Sequence, residues 1–256
     1  MNPNQRGFYT LLKKEVMRFW AVLGQTVSAP VITALLYLLV FAQALQGRTI
    51  AGYEGLSYTQ FLVPGLIMMT VIQNAFANTS SSLIQSKVMG NIVFTLMAPI
   101  GPLEWFGAYI LAALVRSVLV AVAMLAVTLV FVRLPIEQPV ALLAVFLLSA
   151  GSLAALGIIA GLWAQKFDQI AAFSNFIVTP LSFLSGVFYS VHALPKFWYT
   201  ASHLNPFFYM IDGFRYGFFG NADVPIAHSL VWITAFFAVV SAIAYWMLHT
   251  GYRMRK

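Results

Sequence analysis

Few residues in this 256-residue chain could carry catalytic chemistry, and their spacing matches no common catalytic or metal-binding motif. The sequence contains no cysteine, which excludes thiol nucleophiles and thiolate metal sites. It has no Gly-x-Ser-x-Gly motif for a serine nucleophile and no Gly-Lys dipeptide for a phosphate-binding P-loop. The four histidines form no zinc-binding His-Glu-x-x-His pattern: His192, His203, His228 and His249. We therefore predict that the chain is not an enzyme and binds no metal, cofactor or nucleotide directly.

One charged residue stands in an otherwise apolar stretch. Arg116 lies within residues 103–132, and a charge at the centre of a membrane-crossing helix costs about 2.5–3.5 kcal/mol on insertion scales. Two interpretations stay open. Either Arg116 contacts an anionic substrate or a gating partner, or it has a structural role. In the structural interpretation it faces other helices and is held by carbonyls, by water, or by polar groups such as Gln73 and Asn78.

The composition indicates a membrane protein. Hydrophobic residues make up 61% of the chain and charged residues only 8%, whereas soluble domains carry about 25% charged residues. This excludes a soluble enzyme, a secreted domain, a nucleic-acid binder and a disordered protein. The net charge of +7 is then better explained by membrane topology, because basic residues stay on the cytoplasmic side. Membrane lipid is the expected surrounding, and no nucleic-acid partner is expected.

Charged residues divide the chain into six apolar stretches that could each cross a bilayer, which takes about 20 residues. The predicted spans are residues 27–46, 59–80, 103–132, 140–165, 169–191 and 226–249. In the fourth span, Gly157 and Gly161 form a Gly-x-x-x-Gly face. Such a face lets another helix approach closely, either within the chain or in another subunit. The expected fold is an all-α integral membrane protein forming one domain over residues 1–256.

Three segments outside these spans have their own character. Residues 7–24 place apolar and basic residues on different helix faces, which predicts an amphipathic helix in the membrane interface. Residues 82–98 form a polar loop that is compatible with helix. Residues 190–225 are too apolar for a solvated loop and too interrupted by Pro195 and Pro206 for one span. We expect them to form a re-entrant helical hairpin between spans five and six.

The placement of basic residues predicts a multi-pass protein with both termini in the cytoplasm. With that orientation, the cytoplasmic side holds Arg6, Lys13, Lys14, Arg18, Lys87, Lys166, Arg253, Arg255 and Lys256. The opposite side holds only Arg48, Arg133, Lys196 and Arg215. This excess follows the positive-inside rule.

Several local patterns resemble a known family. They are Phe-Leu-Val-Pro-Gly-Leu over residues 61–66, Ser-Gly-Val-Phe-Tyr-Ser over 185–190, Leu-Pro-x-x-Trp over 194–198, Asn-Pro-x-x-Tyr over 205–209 and Gly-Phe-Arg-Tyr-Gly-Phe over 213–218. With the organisation above, they resemble the membrane subunits of ABC type-2 exporters, and among these the YadH-like permeases of the bacterial inner (cytoplasmic) membrane. The resemblance covers nearly the whole chain.

The resemblance implies a mechanism and site residues. Two copies would form the pathway as a homodimer, above two separate ABC ATP-binding subunits that hold ATP and Mg²⁺. Residues 82–98 would be the coupling loop that contacts the ATPase, with the coupling residues Ile92, Val93, Phe94, Leu96, Ala98 and Pro99. The external hairpin would be the outer gate, with the residues Gly186, Pro195, Trp198, Asn205, Pro206, Tyr209 and Arg215.

The coupling loop departs from the family pattern in one respect. Val93 and Phe94 stand where relatives commonly carry Glu. Either docking is apolar, with Ile92, Val93 and Phe94 entering a groove of the ATPase, or the usual partner binds this chain poorly.

The favoured function is the permease subunit of an ATP-driven exporter, with a lipophilic drug-like molecule, a lipid-linked molecule or a polysaccharide as cargo. The alternatives are an ion-coupled secondary transporter and a non-transporting membrane scaffold. Ion coupling usually needs intramembrane carboxylates or inverted repeats. Asp212 is the only plausible carboxylate, and it lies in the external segment.

Overall fold

The computed structural model describes residues 3–44, 50, 52–53 and 55–254. Over these residues the chain forms α-helices, one π-helical segment and one short 3-10 turn, with no β-strand. The helices are α1 Pro3–Trp20, α2 Leu23–Ala44, α3 Tyr58–Val88, α4 Ile92–Met97, α5 Pro102–Thr128, α6 Pro139–Trp163, α7 Phe167–Phe173, α8 Thr179–Phe183, α9 Lys196–Leu204, α10 Pro206–Phe219 and α11 Ile226–Thr250. The predicted all-α class is confirmed.

Among the residues that the structure describes, five helices are long and apolar enough to cross a bilayer: α2, α3, α5, α6 and α11. They correspond to the first, second, third, fourth and sixth predicted spans. The end of the first predicted span, residues 45–46, lies outside the described residues, as do Arg48, Arg255 and Lys256. The largest difference in bounds is at α3, which continues to Val88 instead of ending near residue 80.

The first part of the predicted loop 82–98 is therefore helix. Ser82, Leu83 and Ile84 are buried, and this end of α3 contacts α1 through Ser82 and α6 through Leu83. Lys87 donates from Nζ to the carbonyl of Leu162 at 2.7 Å and also bonds the carbonyl of Ala164. A cation on the last carbonyls of α6 is favourable, since the C-terminus of a helix carries partial negative charge. Polar residues that look like a loop in the sequence thus form an inter-helical contact.

The fifth predicted span, residues 169–191, is shorter and irregular. Helix α7 passes through a π-helical segment, Ser174–Val178, into α8, which ends at Phe183. At about 1.5 Å per residue the three segments extend roughly 26 Å, slightly less than the ~30 Å hydrocarbon core. Beyond them the chain leaves helical geometry, and Gly186 adopts φ +76°.

Helix α3 is the centre of the bundle, and α6 packs closely along it. A Cβ at Gly157 would lie 2.5 Å from the carbonyl oxygen of Phe76, and one at Gly161 would lie 2.7 Å from Cβ of Leu83. Thr79 Oγ1 donates to the carbonyl of Ala154 at 2.8 Å across the same interface. The Gly-x-x-x-Gly face therefore packs within the chain, which is the intramolecular alternative of the prediction.

The amphipathic N-terminal helix is present as α1, which begins and ends a few residues before the predicted bounds 7–24. It lies along α5 and buries Leu11, Glu15 and Phe19. These residues are four apart and therefore share one face of a helix. Lys13 and Lys14 stay exposed. The inward face includes a carboxylate, which the apolar pattern alone does not predict.

The predicted hairpin region contains two unlike helices. Helix α10 is almost entirely buried among α3, α6 and α11. Its Gly217 lets it approach α6, since a Cβ there would lie 2.8 Å from Cα of Leu142. Helix α9, in contrast, is mostly exposed. The region is thus helical, as predicted, and only its second helix joins the bundle.

Candidate functional site

A short helix with exposed apolar side chains follows α3 at one end of the bundle. Gly90, with φ +74°, turns the chain after α3 into α4. Ile92 is buried against the core, whereas Phe94 is 74% exposed and Met97 is 79% exposed. Ile92 thus holds α4 on the protein, which differs from its predicted place in a partner's groove. Among the other predicted coupling residues, Val93, Leu96 and Pro99 are exposed and Ala98 is half-buried.

Helices α1 and α4 enclose a cleft of about 650 Å³. Gly7 brings the two walls together, since a Cβ there would lie 2.7 Å from Cγ1 of Ile100. Basic and apolar groups line the cleft, with Arg6, Thr10, Leu11 and Lys14 from α1 facing Phe94, Thr95, Ala98, Pro99 and Ile100. We name this cleft, with the exposed face of α4, the α1–α4 surface. It offers apolar area with positive charge beside it.

A buried polar network fixes α1 to α3 beneath this surface. Glu15 accepts a hydrogen bond from Ser82 Oγ at 2.6 Å and forms an ion pair with Arg18 Nε at 3.2 Å. Arg18 Nη2 also donates to the backbone carbonyl and to Oδ1 of Asn78, at 2.7 and 3.0 Å. Movement of α1 is therefore tied to α3, because separating them would expose a carboxylate and a guanidinium to an apolar interior.

Arg116 joins the same network from α5. Its Nη2 donates to Oδ1 of Asn74 at 2.9 Å, and its Nη1 lies 3.4 Å from Oδ1 of Asn78. No carboxylate in the described part of the chain lies within 4 Å of it. Asn78 is one of the partners named in the structural interpretation, while Gln73 lines a groove instead. The contacts favour the structural interpretation, in which α3 amides hold the charge.

A groove of about 320 Å³ separates α2 from α3 and α8. Its walls combine hydroxyl and amide groups with aromatic rings, from Thr33, Tyr37, Thr70, Gln73, Asn74, Thr179 and Phe183. Asn74 belongs both to the groove and to the Arg116 network. This groove was not predicted from the sequence. The signal that could have found it is the spacing of Thr70, Gln73 and Asn74, which places three polar groups on one side of an apolar helix.

At the other end of the bundle, Arg215 is the centre of a buried hub. It is 1% exposed, and its Nη2 donates to the carbonyl of Gly186 at 3.0 Å. Its guanidinium lies 3.8 Å from the ring centroid of Phe61. Gly65 leaves room for these groups, since a Cβ there would lie 3.3 Å from Nη2. Arg215 thus ties α10, α3 and the turn after α8 together.

The Asn-Pro-x-x-Tyr pattern starts α10. Asn205 Oδ1 accepts from the backbone N–H of Phe207 at 3.0 Å, which is an N-cap, and Nδ2 donates to the carbonyl of Leu181 at 2.7 Å. Pro206 occupies the first helical position, where a missing N–H costs nothing. Tyr209 donates to the carbonyl of His203 at 2.8 Å. One short motif thus caps α10 and joins it to α8 and α9.

Asp212, on α10 and outside the five candidate spans, is fully buried. It accepts hydrogen bonds from the backbone N–H groups of Asp223 and Val224, at 2.8 and 3.2 Å, and from the hydroxyl of Tyr53 at 3.3 Å. Burial raises the pKa of the Asp212 carboxyl to about 6, partly offset by those backbone hydrogen bonds and by the charge of Arg215. Its contacts give this carboxylate a role in holding loops together.

The structure therefore divides the predicted hairpin residues into two groups. Gly186, Asn205, Tyr209 and Arg215 are buried in or beside the hub, with Pro206 half-buried next to them. Pro195 and Trp198 stay exposed at the start of α9.

Comparison with known proteins identifies the family. The family model described as "ABC-2 type transporter" matches residues 6–219, which include the α1–α4 surface, the groove and the hub. The chain belongs to the ABC-2 type transporter family.

Similar proteins agree with this assignment of the ABC-2 chain. The inner membrane transport permease YadH of Escherichia coli K12 is 38% identical over 243 residues, covering 95% of this chain and 94% of that relative. The YadH of Shigella flexneri has the same identity and coverage. Nodulation protein J of Sinorhizobium fredii is 26% identical over 183 residues, or 66% of this chain and 65% of that protein.

Membership makes this ABC-2 chain a transport component, and its family implies an ATP-binding partner. Its helices are apolar enough to span a membrane, and its YadH relative is named for the inner membrane. The sequence contains no P-loop lysine motif, and no nucleotide-binding domain is evident in the chain.

Proposed function

We propose that this chain is the membrane-spanning permease subunit of an ATP-driven exporter in the bacterial inner membrane. Two copies form the pathway, and two separate ATP-binding subunits, which hold ATP and Mg²⁺, drive it. The observation that carries the proposal is the α1–α4 surface. A permease without a nucleotide site must receive work through contacts, and this surface presents exposed apolar side chains beside a basic cleft.

The ATPase would dock on Val93, Phe94 and Met97. Burying a Phe side chain is worth about 1.5–3 kcal/mol, and Phe94 has most of its surface left to bury. Arg6 and Lys14 at the cleft would attract acidic groups of the partner. Ile92 would anchor α4, so that a push on Phe94 reaches α3.

The buried polar network behind the α1–α4 surface gives this movement a route. Glu15 and Arg18 connect α1 to α3, and Asn78 and Asn74 connect α3 to Arg116 on α5. Since Asn74 also lines the groove, displacement of α1 would reach a groove wall through a chain of hydrogen bonds. Arg116 acts here as a structural charge.

The groove between α2, α3 and α8 is the proposed pathway wall, closed by a second copy of the chain. Its mixture of threonine, amide and aromatic groups suits an amphipathic molecule. A lipid-linked molecule therefore fits this lining best among the three candidate cargo classes, which also include lipophilic drug-like molecules and polysaccharides. The ion-coupled alternative has little support, because Asp212 is already bound by three donors.

We further propose six membrane crossings with both termini in the cytoplasm, α7 to α8 being the fifth crossing and α9–α10 a re-entrant outer gate. The burial of α10 among three helices supports this arrangement. Because the chain lacks cysteine, single cysteines can be labelled with a membrane-impermeant maleimide in spheroplasts. Lys196→Cys and Arg133→Cys should be labelled from outside, and Lys166→Cys only after lysis. Labelling of positions 166 and 196 from the same side would contradict the fifth crossing.

Docking is tested by co-purifying the chain with the ABC ATP-binding subunit proposed as its partner. Phe94→Asp should reduce recovery of the ATPase strongly. Phe197→Asp, on α9, is the matched control, because Phe197 is also 74% exposed but lies on the opposite side of the proposed membrane. Equal recovery with both variants would contradict docking at α4.

A further inference from the structure

A second cavity, away from the α1–α4 surface and the groove, lies between α6, the α7–π segment and α11. Its volume is about 560 Å³, within the range of about 300–1,000 Å³ that is usual for ligand sites. Its lining is apolar and aromatic, and includes Ile159, Trp163, Phe173, Ile177, Trp246 and Tyr252. We name it the α6–α11 cavity.

The position of the aromatic residues places this cavity at the membrane boundary. Trp163 is the last residue of α6, Trp246 lies in the last turns of α11, and Tyr252 follows the end of α11. Trp and Tyr concentrate at the level of lipid headgroups. The α6–α11 cavity therefore begins near the headgroups and continues along two candidate spans toward the hydrocarbon core.

The guanidinium group of Arg253 lies where the α6–α11 cavity meets the membrane interface. Arg253 Nη1 donates to the carbonyl of Trp163 at 2.9 Å, and its guanidinium carbon lies 5.5 Å from the ring centroid of Tyr252. Both of those residues line the cavity. The other guanidinium nitrogens of Arg253 make no hydrogen bond within the part of the chain that the structure describes. The sequence adds two more basic residues nearby, Arg255 and Lys256, while Lys166 in the α6–α7 turn and Asp168 in the first turn of α7 balance each other in charge.

From this combination we propose that the α6–α11 cavity binds an anionic phospholipid. One acyl chain lies in the apolar cavity, and the phosphate of a headgroup that has no cationic group of its own pairs with the free guanidinium nitrogens of Arg253. The α6–α11 cavity is apolar and has a cation at the end nearest the headgroups, so it matches both the acyl chain and the charged headgroup of such a lipid. Basic pockets between membrane helices are known to favour anionic headgroups. The proposal needs only that the chain spans a membrane, so it stands or falls independently of the ATP-binding partner.

The headgroup contact is tested on the purified full-length chain in detergent, by native mass spectrometry of lipid retention. Dioleoyl phosphatidylglycerol should be retained in preference to dioleoyl phosphatidylcholine. Arg253→Gln should weaken phosphatidylglycerol binding about fivefold, from a contribution of ~1 kcal/mol per basic residue, and Arg253→Lys should restore most of it. The matched control is Arg133→Gln, which removes an exposed arginine in the α5–α6 loop and should change nothing.

The acyl contact is tested separately. Ile177→Trp fills the cavity from a partly exposed position and should weaken retention of both lipids. Glycerophosphoglycerol, the headgroup without acyl chains, should neither bind nor compete. Equal retention of the two phospholipids by the unmodified chain, unchanged selectivity in Arg253→Gln, or binding of the soluble headgroup alone would each overturn the proposal.

Discussion

The contact between α3 and α6 predicts a large effect from one of the smallest possible substitutions, Gly157→Ala. The added Cβ would lie 2.5 Å from the Phe76 carbonyl oxygen and 2.1 Å from Thr79 Oγ1. The hydroxyl can rotate away, but a helix carbonyl cannot, so the two helices must separate by roughly 0.8 Å or more to restore a carbon–oxygen contact of ~3.3 Å.

The magnitude follows from two losses. Overpacking a close-packed interior costs about 1–3 kcal/mol. The separation also weakens the hydrogen bond from Thr79 Oγ1 to the Ala154 carbonyl, and such bonds between membrane helices average about 0.6 kcal/mol. The total is ~2–4 kcal/mol. At about 2–4 °C per kcal/mol for a chain of this size, the unfolding midpoint should fall by roughly 5–15 °C.

The same substitution elsewhere provides the control. Gly24, in α2, has no atom within 4 Å of the position a Cβ would take, and Ala is favoured over Gly in a helix by about 0.5–1 kcal/mol. Gly24→Ala should therefore leave the midpoint unchanged or raise it slightly. The assay is thermal unfolding of both variants in the same detergent. A midpoint for Gly157→Ala at or above that of the unmodified chain would refute the close packing of α6 on α3.

Three further predictions concern the polar contacts. Asn205→Ala removes the N-cap of α10 and leaves the Leu181 carbonyl unpaired, so it should destabilise the chain by about 1–3 kcal/mol in thermal unfolding; no loss of stability would contradict the role of Asn205 as a cap that joins α10 to α8. Since burial raises the pKa of Asp212 from 3.8 to about 6, the folded state binds this proton more tightly than the unfolded state. Stability from this group is thus present below about pH 4 and is lost as the pH rises through 6. The unfolding midpoint of the unmodified chain, measured relative to that of Asp212→Asn, should therefore decline from about pH 4 to about pH 6. An increase in this difference with pH would contradict the predicted direction of the pKa shift. Arg116→Leu loses two hydrogen bonds to a charged group, worth roughly 1.5–3 kcal/mol each, and regains about 2.5–3.5 kcal/mol by removing the buried charge. Its free energy of unfolding should fall by ~1–2 kcal/mol, while the rate of permease-dependent ATP hydrolysis per folded complex should not change. Loss of hydrolysis without loss of stability would favour a pathway role for Arg116.

The features that sequence reasoning predicted well are those set by local patterns. Long apolar stretches between charges predict the ends of α5, α6 and α11 to within four residues. The start of α10 is equally local, because an Asn cap followed by Pro forms a helix N-terminus whatever surrounds it.

The features that it missed depend on partners far away in the chain. The sequence indicates that the polar end of α3 is compatible with helix, but not that Ser82 and Lys87 bind groups on α1 and α6, because those partners lie far away in the chain. Ile92 and Phe94 look alike in sequence, yet one is buried and the other exposed. The groove between α2, α3 and α8 exists only where three separate segments meet.

The central claim, that this ABC-2 chain transmits work from an ATPase through the α1–α4 surface, is tested most directly by reconstitution. The chain and the proposed ABC ATP-binding subunit would be assembled in lipid, and the rate of ATP hydrolysis would be compared with that of the ATPase alone. We predict a stable complex whose hydrolysis rate changes when the chain is present, an effect that Phe94→Asp abolishes and Phe197→Asp keeps. A stable complex with an unchanged rate, or a Phe94→Asp variant that couples normally, would contradict the account.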